Sequence, residues 1–180
     1  HHFQIKTQLV SFHQYNEHRK LQNIINEIKS GKIYALVSDA GTPSISDPGF
    51  LLVRECIKNN LDIETLPGPT ALIPAIVNSG LSCEKFVFEG FLPVKKGRSK
   101  RLIKLADEER TTILYESPHR LLKTLDDLIK NLGNQRQASI SRELTKIYEE
   151  TIRGSLEELY DFYSTNKVKG EFVIVISGKK

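Results

Sequence analysis

Four stretches combine polar side chains with turn formers where apolar runs stop, and each suggests a chemistry. Ser38–Gly49 (SDAGTPSISDPG) leaves one apolar run and enters the next. Its small residues let a ligand approach the backbone, and Asp39 and Asp47 can accept hydrogen bonds from ribose hydroxyls or an amino group. Asp47 reads first as a helix N-cap followed by a first-turn proline. Asp39, Ala40, Gly41 and Thr42 read as ligand contacts, because a turn alone does not need so long a Gly/Ser/Thr/Pro loop. Leu66–Leu72 (LPGPTAL) repeats the arrangement in a weaker form, with Thr70 at a helix start. In Tyr115–Arg120 (YESPHR), Glu116 and His119 are placed to take a proton and Arg120 to hold a phosphate; a solvated salt-bridge cluster explains them as well. Lys95, Lys96, Arg98, Lys100, Arg101 and Lys104 crowd a segment with no acid. Such a run is usually a solvated helix face, but it also fits contact with a phosphodiester backbone.

The elements that must hold these residues follow from periodicity. Leu21, Ile24, Ile25 and Ile28 form one helical stripe, stopped by Gly31. Residues 33–38 and 61–66 read as buried strands, and a helix with Leu52, Val53, Cys56 and Ile57 lies between them. Residues 70–79 read as an apolar helix closed by Gly80, and 86–91 as a strand. Next come a helix over 100–110, a strand over 111–116, and a helix capped by Ser117–Pro118 with Leu122, Leu125, Leu128, Ile129 and Leu132 on one face. Strands are expected at 137–142, 147–153 and 171–177, with a helix opened by the capping box Ser155-x-x-Glu158. Strands alternating with helices predict an α/β fold with largely parallel pairing.

With 180 residues, 39% hydrophobic and 27% charged, the chain can bury a core without disulfides or metals. The net charge is +4. Residues 1–85 balance 8 basic against 8 acidic side chains, while 86–180 hold 18 basic and 14 acidic. That shift, with Pro93 and Gly97, places a domain boundary near 85–95, giving domains 1–85 and 86–180. Cys56 and Cys83 read as core fillers and as weak signs of a reducing compartment. No Cys/His group has zinc-ligand spacing, no apolar run is long enough to span a membrane, and no signal peptide is seen. A dinucleotide fingerprint, a P-loop and a nucleophile elbow are all missing, which demotes nucleotide hydrolysis and acyl-enzyme chemistry. His1–His2 reads as the end of a tag or as native residues, and the lack of an initiator Met suggests a fragment boundary.

Five motifs occur in order: VSDAGTPSISDPG (37–49), LPGPTA (66–71), FEGFLP (88–93), LYESPHR (114–120) and SRELTKIYEE (141–150). Together they resemble the bacterial ribosomal RNA small subunit methyltransferase I family of the tetrapyrrole-methylase superfamily, from Phe3 to Gly178. The resemblance implies a two-domain α/β fold with mixed sheets and flanking helices, and S-adenosylmethionine bound in a cleft, usually in a homodimer. It also implies 2′-O-methylation of a cytidine ribose in the decoding region of small-subunit (16S) ribosomal RNA, in the cytoplasm and without a metal. By similarity, Asp39, Ala40, Gly41, Thr42, Thr70, Ala71 and Leu72 line the cofactor, as do Leu114, Tyr115, Gly170, Glu171 and Phe172. The family's first strand, with a TPIGN-like turn and an ACEDTR-like segment, is absent here, so the chain is expected to be N-terminally truncated and to lack part of its site. For transfer of a sulfonium methyl, the protein must align the sugar oxygen and remove one proton. Glu116 is the first candidate base and His119 the second, while Lys95, Lys96, Arg98, Lys100, Arg101, Lys104 and Arg120 are the RNA-backbone contacts. Two alternatives stay open: a methyltransferase acting on a tetrapyrrole or other small molecule, and a non-catalytic RNA-binding module.

Overall fold

The structure is a computed structural model that describes residues 4–179. His1, His2 and Phe3, and with them the question of a tag, lie outside the described residues, as does Lys180. The chain divides into two compact units, one up to Pro69 and one from Thr70 onward.

The first unit holds α1 (Glu17–Lys29) and α2 (Phe50–Lys58), which pack on each other. The predicted stripe buries Ile24 and Ile25 of α1, and α2 buries Cys56, whose thiol pKa is raised by desolvation. The two strands expected at 33–38 and 61–66 do not form. Ile33, Val37, Ile63 and Leu66 are exposed, while Tyr34 and Leu36 are half-buried. Residues 33–38 thus keep the two-residue alternation of a strand. A strand also needs a neighbour for its N–H and C=O groups. Among the described residues, no segment pairs with either stretch.

The second unit contains α3 (Leu72–Ser79), β1 (Phe86–Phe91), α4 (Arg98–Ala106), β2 (Thr111–Glu116), α5 (Leu121–Leu132), β3 (Gln137–Arg142), β4 (Glu150–Ser155), α6 (Leu156–Thr165) and β5 (Phe172–Ile176). The strands make one sheet in the order β1-β2-β5-β3-β4. Only β1 and β2 are parallel; β2–β5, β5–β3 and β3–β4 are antiparallel, so the expectation of largely parallel pairing is corrected. The reason is local: β3 and β4 are joined by a short connection without a helix, which permits only antiparallel pairing, and β5 then inserts between β2 and β3.

Alternation along β5 sorts the core. Phe172, Ile174 and Ile176 join Leu114, Ile140 and the inner faces of α4, α5 and α6, whereas Val173 and Val175 join Ile113 and α3. The predicted stripe on α5 is present, with Leu121, Leu125 and Leu128 fully buried. The capping box of α6 is present too: Ser155 Oγ accepts from Glu158 N, and Glu158 Oε2 accepts from Ser155 N. Gly80 closes α3 in the left-handed conformation.

Three local expectations are corrected. The N-cap of α2 is Gly49, not Asp47. A Cβ on Gly49 would sit 2.2 Å from Ser44 Oγ and 2.9 Å from Leu36 Cδ2, so the loop closes tightly around that glycine. α5 starts after Arg120 rather than at Ser117, whose carbonyl instead accepts from Arg120 N. Cys83 is exposed and does not fill a core. Finally, α3, expected in the first domain, packs against β3, β4 and β5 of the second unit.

Candidate functional site

The strand registers bring several predicted residues to one end of the sheet. Phe91 pairs with Tyr115, Glu116 with Phe172, and Arg142 with both Phe172 and Glu150. The end of β2, the start of β5 and the end of β3 therefore share an edge. Strand parity then decides which side chains can act there.

On the α3 face, Ala71, Leu72, Tyr115 and Leu144 belong to one apolar cluster with Val173 and Val175. Tyr115 is half-buried and makes edge contacts with Phe88, at 4.9 Å between centroids, and Phe91, at 5.8 Å. Thr70, also half-buried, lies one residue before the N-cap Ala71 of α3. This is an uncharged, aromatic-edged wall beside the first turn of α3. On the opposite face lie Leu114, with no exposure, and Phe172, at 2%. Both side chains belong to the larger core, so these two predicted cofactor residues can offer only main-chain atoms.

Glu116 points to that same opposite face and is 2% exposed. Its Oε1 accepts from Ser117 N at 2.8 Å; its Oε2 accepts from Thr124 Oγ1 at 2.6 Å and from Arg120 at 3.1 Å. Both carboxylate oxygens of Glu116, the first candidate base, are thus taken up by donors from the turn before α5 and from α5 itself. His119 is exposed in the turn before α5.

Two of the arginines predicted to hold RNA are also engaged internally. Arg98 is 7% exposed; its guanidinium donates to Asp127 at 2.8 Å, to Thr124 Oγ1 at 2.9 Å and to the Pro93 carbonyl at 3.2 Å. Arg120 donates to the Leu92 carbonyl at 2.6 Å besides Glu116. Lys95, Lys96, Lys100, Arg101 and Lys104 are exposed, although Arg101 pairs with Glu89 at 2.8 Å. Lys100, Arg101 and Lys104 line, with Pro93 and Gly97, a shallow recess of about 230 Å³. Sequence reasoning missed Thr124 and Asp127. Thr124 lies four residues after Arg120 and eight after Glu116, so helical spacing held the signal.

The connection between β3 and β4 was also missed as a structure in its own right. Lys146 Nζ bonds Glu143 at 2.9 Å and Glu171 at 3.0 Å, and Glu143 Oε1 accepts from Glu171 N at 2.9 Å. These contacts hold the Glu143 carboxyl pKa below its usual range and raise that of Lys146. Glu143 and Thr145 adopt positive φ, 49° and 68°, and a Cβ on Gly170 would lie 2.6 Å from Glu143 Cγ. Predicted Gly170 and Glu171 are thus parts of a hydrogen-bonded knot.

In the first unit, Ser38 Oγ donates to the carbonyls of Ala40, at 3.1 Å, and Gly41, at 2.8 Å. Thr42 Oγ1 donates to the Pro69 carbonyl at 2.9 Å. Asp39 and Asp47 are exposed. Gly41, Ser44, Ser46 and Gly49 have positive φ, so Ser38–Gly49 is a folded loop with a defined course. Among the described residues, no cluster of three His, Cys, Asp or Glu side chains could hold a metal, and no helix is long and apolar enough to cross a membrane.

The sequence pattern of the tetrapyrrole (corrin/porphyrin) methylases matches residues 1–160. A protein of Thermotoga maritima named ribosomal RNA small subunit methyltransferase I is 42% identical over 99% of this chain and 80% of its own length. The chain belongs to the ribosomal RNA small subunit methyltransferase I family of tetrapyrrole methylases. Family members of that name from Synechocystis and Halalkalibacterium halodurans are 49% and 47% identical over 98% of the chain. The chain spans 64% and 61% of those two proteins. Among solved structures, a cobalt precorrin-4 methyltransferase matches 89% of this family member and 70% of its own chain, at TM-score 0.64 and 18% identity. The uroporphyrin-III C-methyltransferase of Thermus thermophilus complexed with S-adenyl homocysteine matches 90% and 72%, at TM-score 0.59 and 18% identity. At such identities the likeness is one of fold: the α/β tetrapyrrole-methylase fold implied by the five motifs is the fold found.

Proposed function

We propose that the protein to which this chain belongs uses S-adenosylmethionine to methylate the ribose 2′-hydroxyl of a cytidine in the decoding region of small-subunit ribosomal RNA. The observation that carries this reading is the 42–49% identity, over nearly the whole chain, to proteins named for methylation of that RNA.

The residues of the second unit fit the cofactor. Ala71, Leu72, Tyr115 and Leu144 make an apolar wall that suits a neutral adenosine, and Thr70 stands at the helix start beside it. The main chain at Leu114 and Phe172 completes the sheet end, with Gly170 two residues before β5. In the first unit, Asp39, Ala40, Gly41 and Thr42 are candidates for its polar atoms, because Ser38 and Thr42 fix the course of the loop. S-adenosylmethionine supplies a methyl group already activated on a sulfonium. The protein's share is then to orient the sugar and accept a proton. His119, exposed at the sheet end, takes the role of proton acceptor in place of Glu116. Lys95, Lys96, Lys100 and Lys104 contact phosphates, with Arg101 beside them, which gives affinity and orientation rather than sequence choice.

The reading includes a homodimer and a cytoplasmic location, which the family resemblance and a ribosomal substrate support. A tetrapyrrole methyltransferase is the second reading, favoured by the names of the fold neighbours alone. Incubation of the complete protein with S-adenosyl-[methyl-³H]methionine and small ribosomal subunits separates the two. Label recovered as 2′-O-methylcytidine after nuclease digestion supports the reading. Label found only with a porphyrinoid acceptor, or RNA binding without S-adenosylmethionine affinity by calorimetry, defeats it.

A further inference from the structure

We propose that Glu116 and Thr124 form a positioning clamp that sets the basic segment Lys95–Lys104 for RNA. The proposal rests on the reading of that segment as a phosphate contact. A continuous hydrogen-bonded chain runs from the end of β2 to the turn before α4. Thr124 Oγ1, fully buried, donates to Glu116 and accepts from Arg98. Glu116 in turn holds Arg120. The two guanidinium groups grip consecutive carbonyls, Arg120 that of Leu92 and Arg98 that of Pro93. These are the last residues before Val94–Gly97, the turn that carries Lys95 and Lys96. Arg98 is also the first residue of α4, which carries Lys100 and Lys104, and Asp127 of α5 fixes its Nε.

Lysine side chains are flexible, and a charged strip on a mobile turn loses conformational freedom when it binds a phosphate backbone. A strip whose main chain is already fixed loses less, so its affinity is higher at the same charge. Apolar contacts also pack both helices against the strands, so the sheet has a second source of order besides the chain from Glu116 to Pro93. What the chain specifically fixes is the exit of β1 and the entry of α4. Glu116 and Thr124 touch no substrate in this scheme; they act through Arg98 and Arg120.

Thr124→Val keeps the shape and deletes the hydroxyl, and Thr124→Ser keeps the hydroxyl. Binding of a fluorescent synthetic RNA stem-loop to the complete protein is measured across a salt series, with hydrogen exchange read by mass spectrometry. Thr124→Val is expected to bind about tenfold more weakly and with a salt slope reduced by about one lysine contact. Residues 94–97 should exchange faster, while β5 stays protected and Thr124→Ser stays within about twofold of the parent. RNA affinity and slope unchanged in Thr124→Val, or exchange that rises equally in β5, overturns the clamp. If Thr124→Val does not fold, Glu116→Gln is read by the same exchange criterion, with the same two outcomes. A double variant Lys96→Glu/Lys100→Glu checks the underlying reading on its own. Unchanged RNA binding there removes the phosphate contact, and the clamp with it, whatever Thr124→Val does.

Discussion

The two faces of the five-stranded sheet are built for different tasks. On one face α4, α5 and α6 cover a continuous apolar core; among the described residues the charged side chains buried there are Arg98 and Glu116, paired with the half-buried Asp127 and Arg120 and joined through Thr124. On the other face a single short helix, α3, covers a smaller cluster that ends in Tyr115 and Leu144 at the sheet edge. Adjacent residues of β2 fall on opposite sides of this division. Tyr115 faces the α3 side, half-buried, and Glu116 is closed into the packed one. The comparison teaches that, at the end of a strand, chemistry is assigned by parity before it is assigned by residue type.

Four outcomes would sharpen or break the contrast. Leu125, fully buried on the packed face, should lose the most: Leu125→Ala is expected to lower unfolding free energy by about 3–4 kcal/mol in urea titration. On the open face, Ile76→Ala should cost about 2 kcal/mol by the same measurement, because one helix can settle into the gap more easily than three. An equal cost at both positions would erase the distinction. Third, Tyr115→Ala should weaken S-adenosylmethionine binding about tenfold, about 1.4 kcal/mol, in titration calorimetry. Glu116→Gln should leave that affinity unchanged, since Glu116 faces away from the proposed cofactor wall. The smallest effect lies outside both faces. Hydrogen bonds from Arg110 depress the Glu108 pKa from 4.5 to about 2. Its folded-state pKa lies below the unfolded one, so the pair stabilises fully above about pH 4.5 and fades as the pH falls through about 2. Glu108→Gln should cost about 0.5 kcal/mol at neutral pH, with the difference shrinking as the pH falls toward and below the folded-state pKa, by thermal melts.

Much of this was legible in the residues. Periodicity placed the helices carrying Ile24–Ile25 and Leu125–Leu128, and the capping box at Ser155–Glu158 marked the start of α6. The strands of the second unit were legible because their apolar runs stop at turns. Residues 33–38 and 61–66 gave the same signal without forming strands, since a sequence reports side-chain polarity but not whether a hydrogen-bonding neighbour is present. At the candidate site, Tyr115 and Leu72 entered through the family resemblance, and the fate of Glu116, Arg98 and Arg120 could not be read from residue type. Whether a charge reaches solvent depended on Thr124 and Asp127, residues with no chemical signature of their own. Parity was available, because counting from Leu114, an obvious core residue, puts Glu116 on the buried face.

The knot of Glu143, Lys146, Glu171 and Gly170 bears on how this protein can change over time. Surface connections between strands ordinarily absorb added or lost residues with little harm. Here the passage from β3 to β4 is cross-tied to the start of β5, with two non-glycine residues held at positive φ. Lengthening it by a single residue would pull Lys146 off both carboxylates and disturb the approach to β5 at Gly170–Glu171. Variation in length among descendants should therefore collect elsewhere, and residues 143–149 should be passed on at constant length.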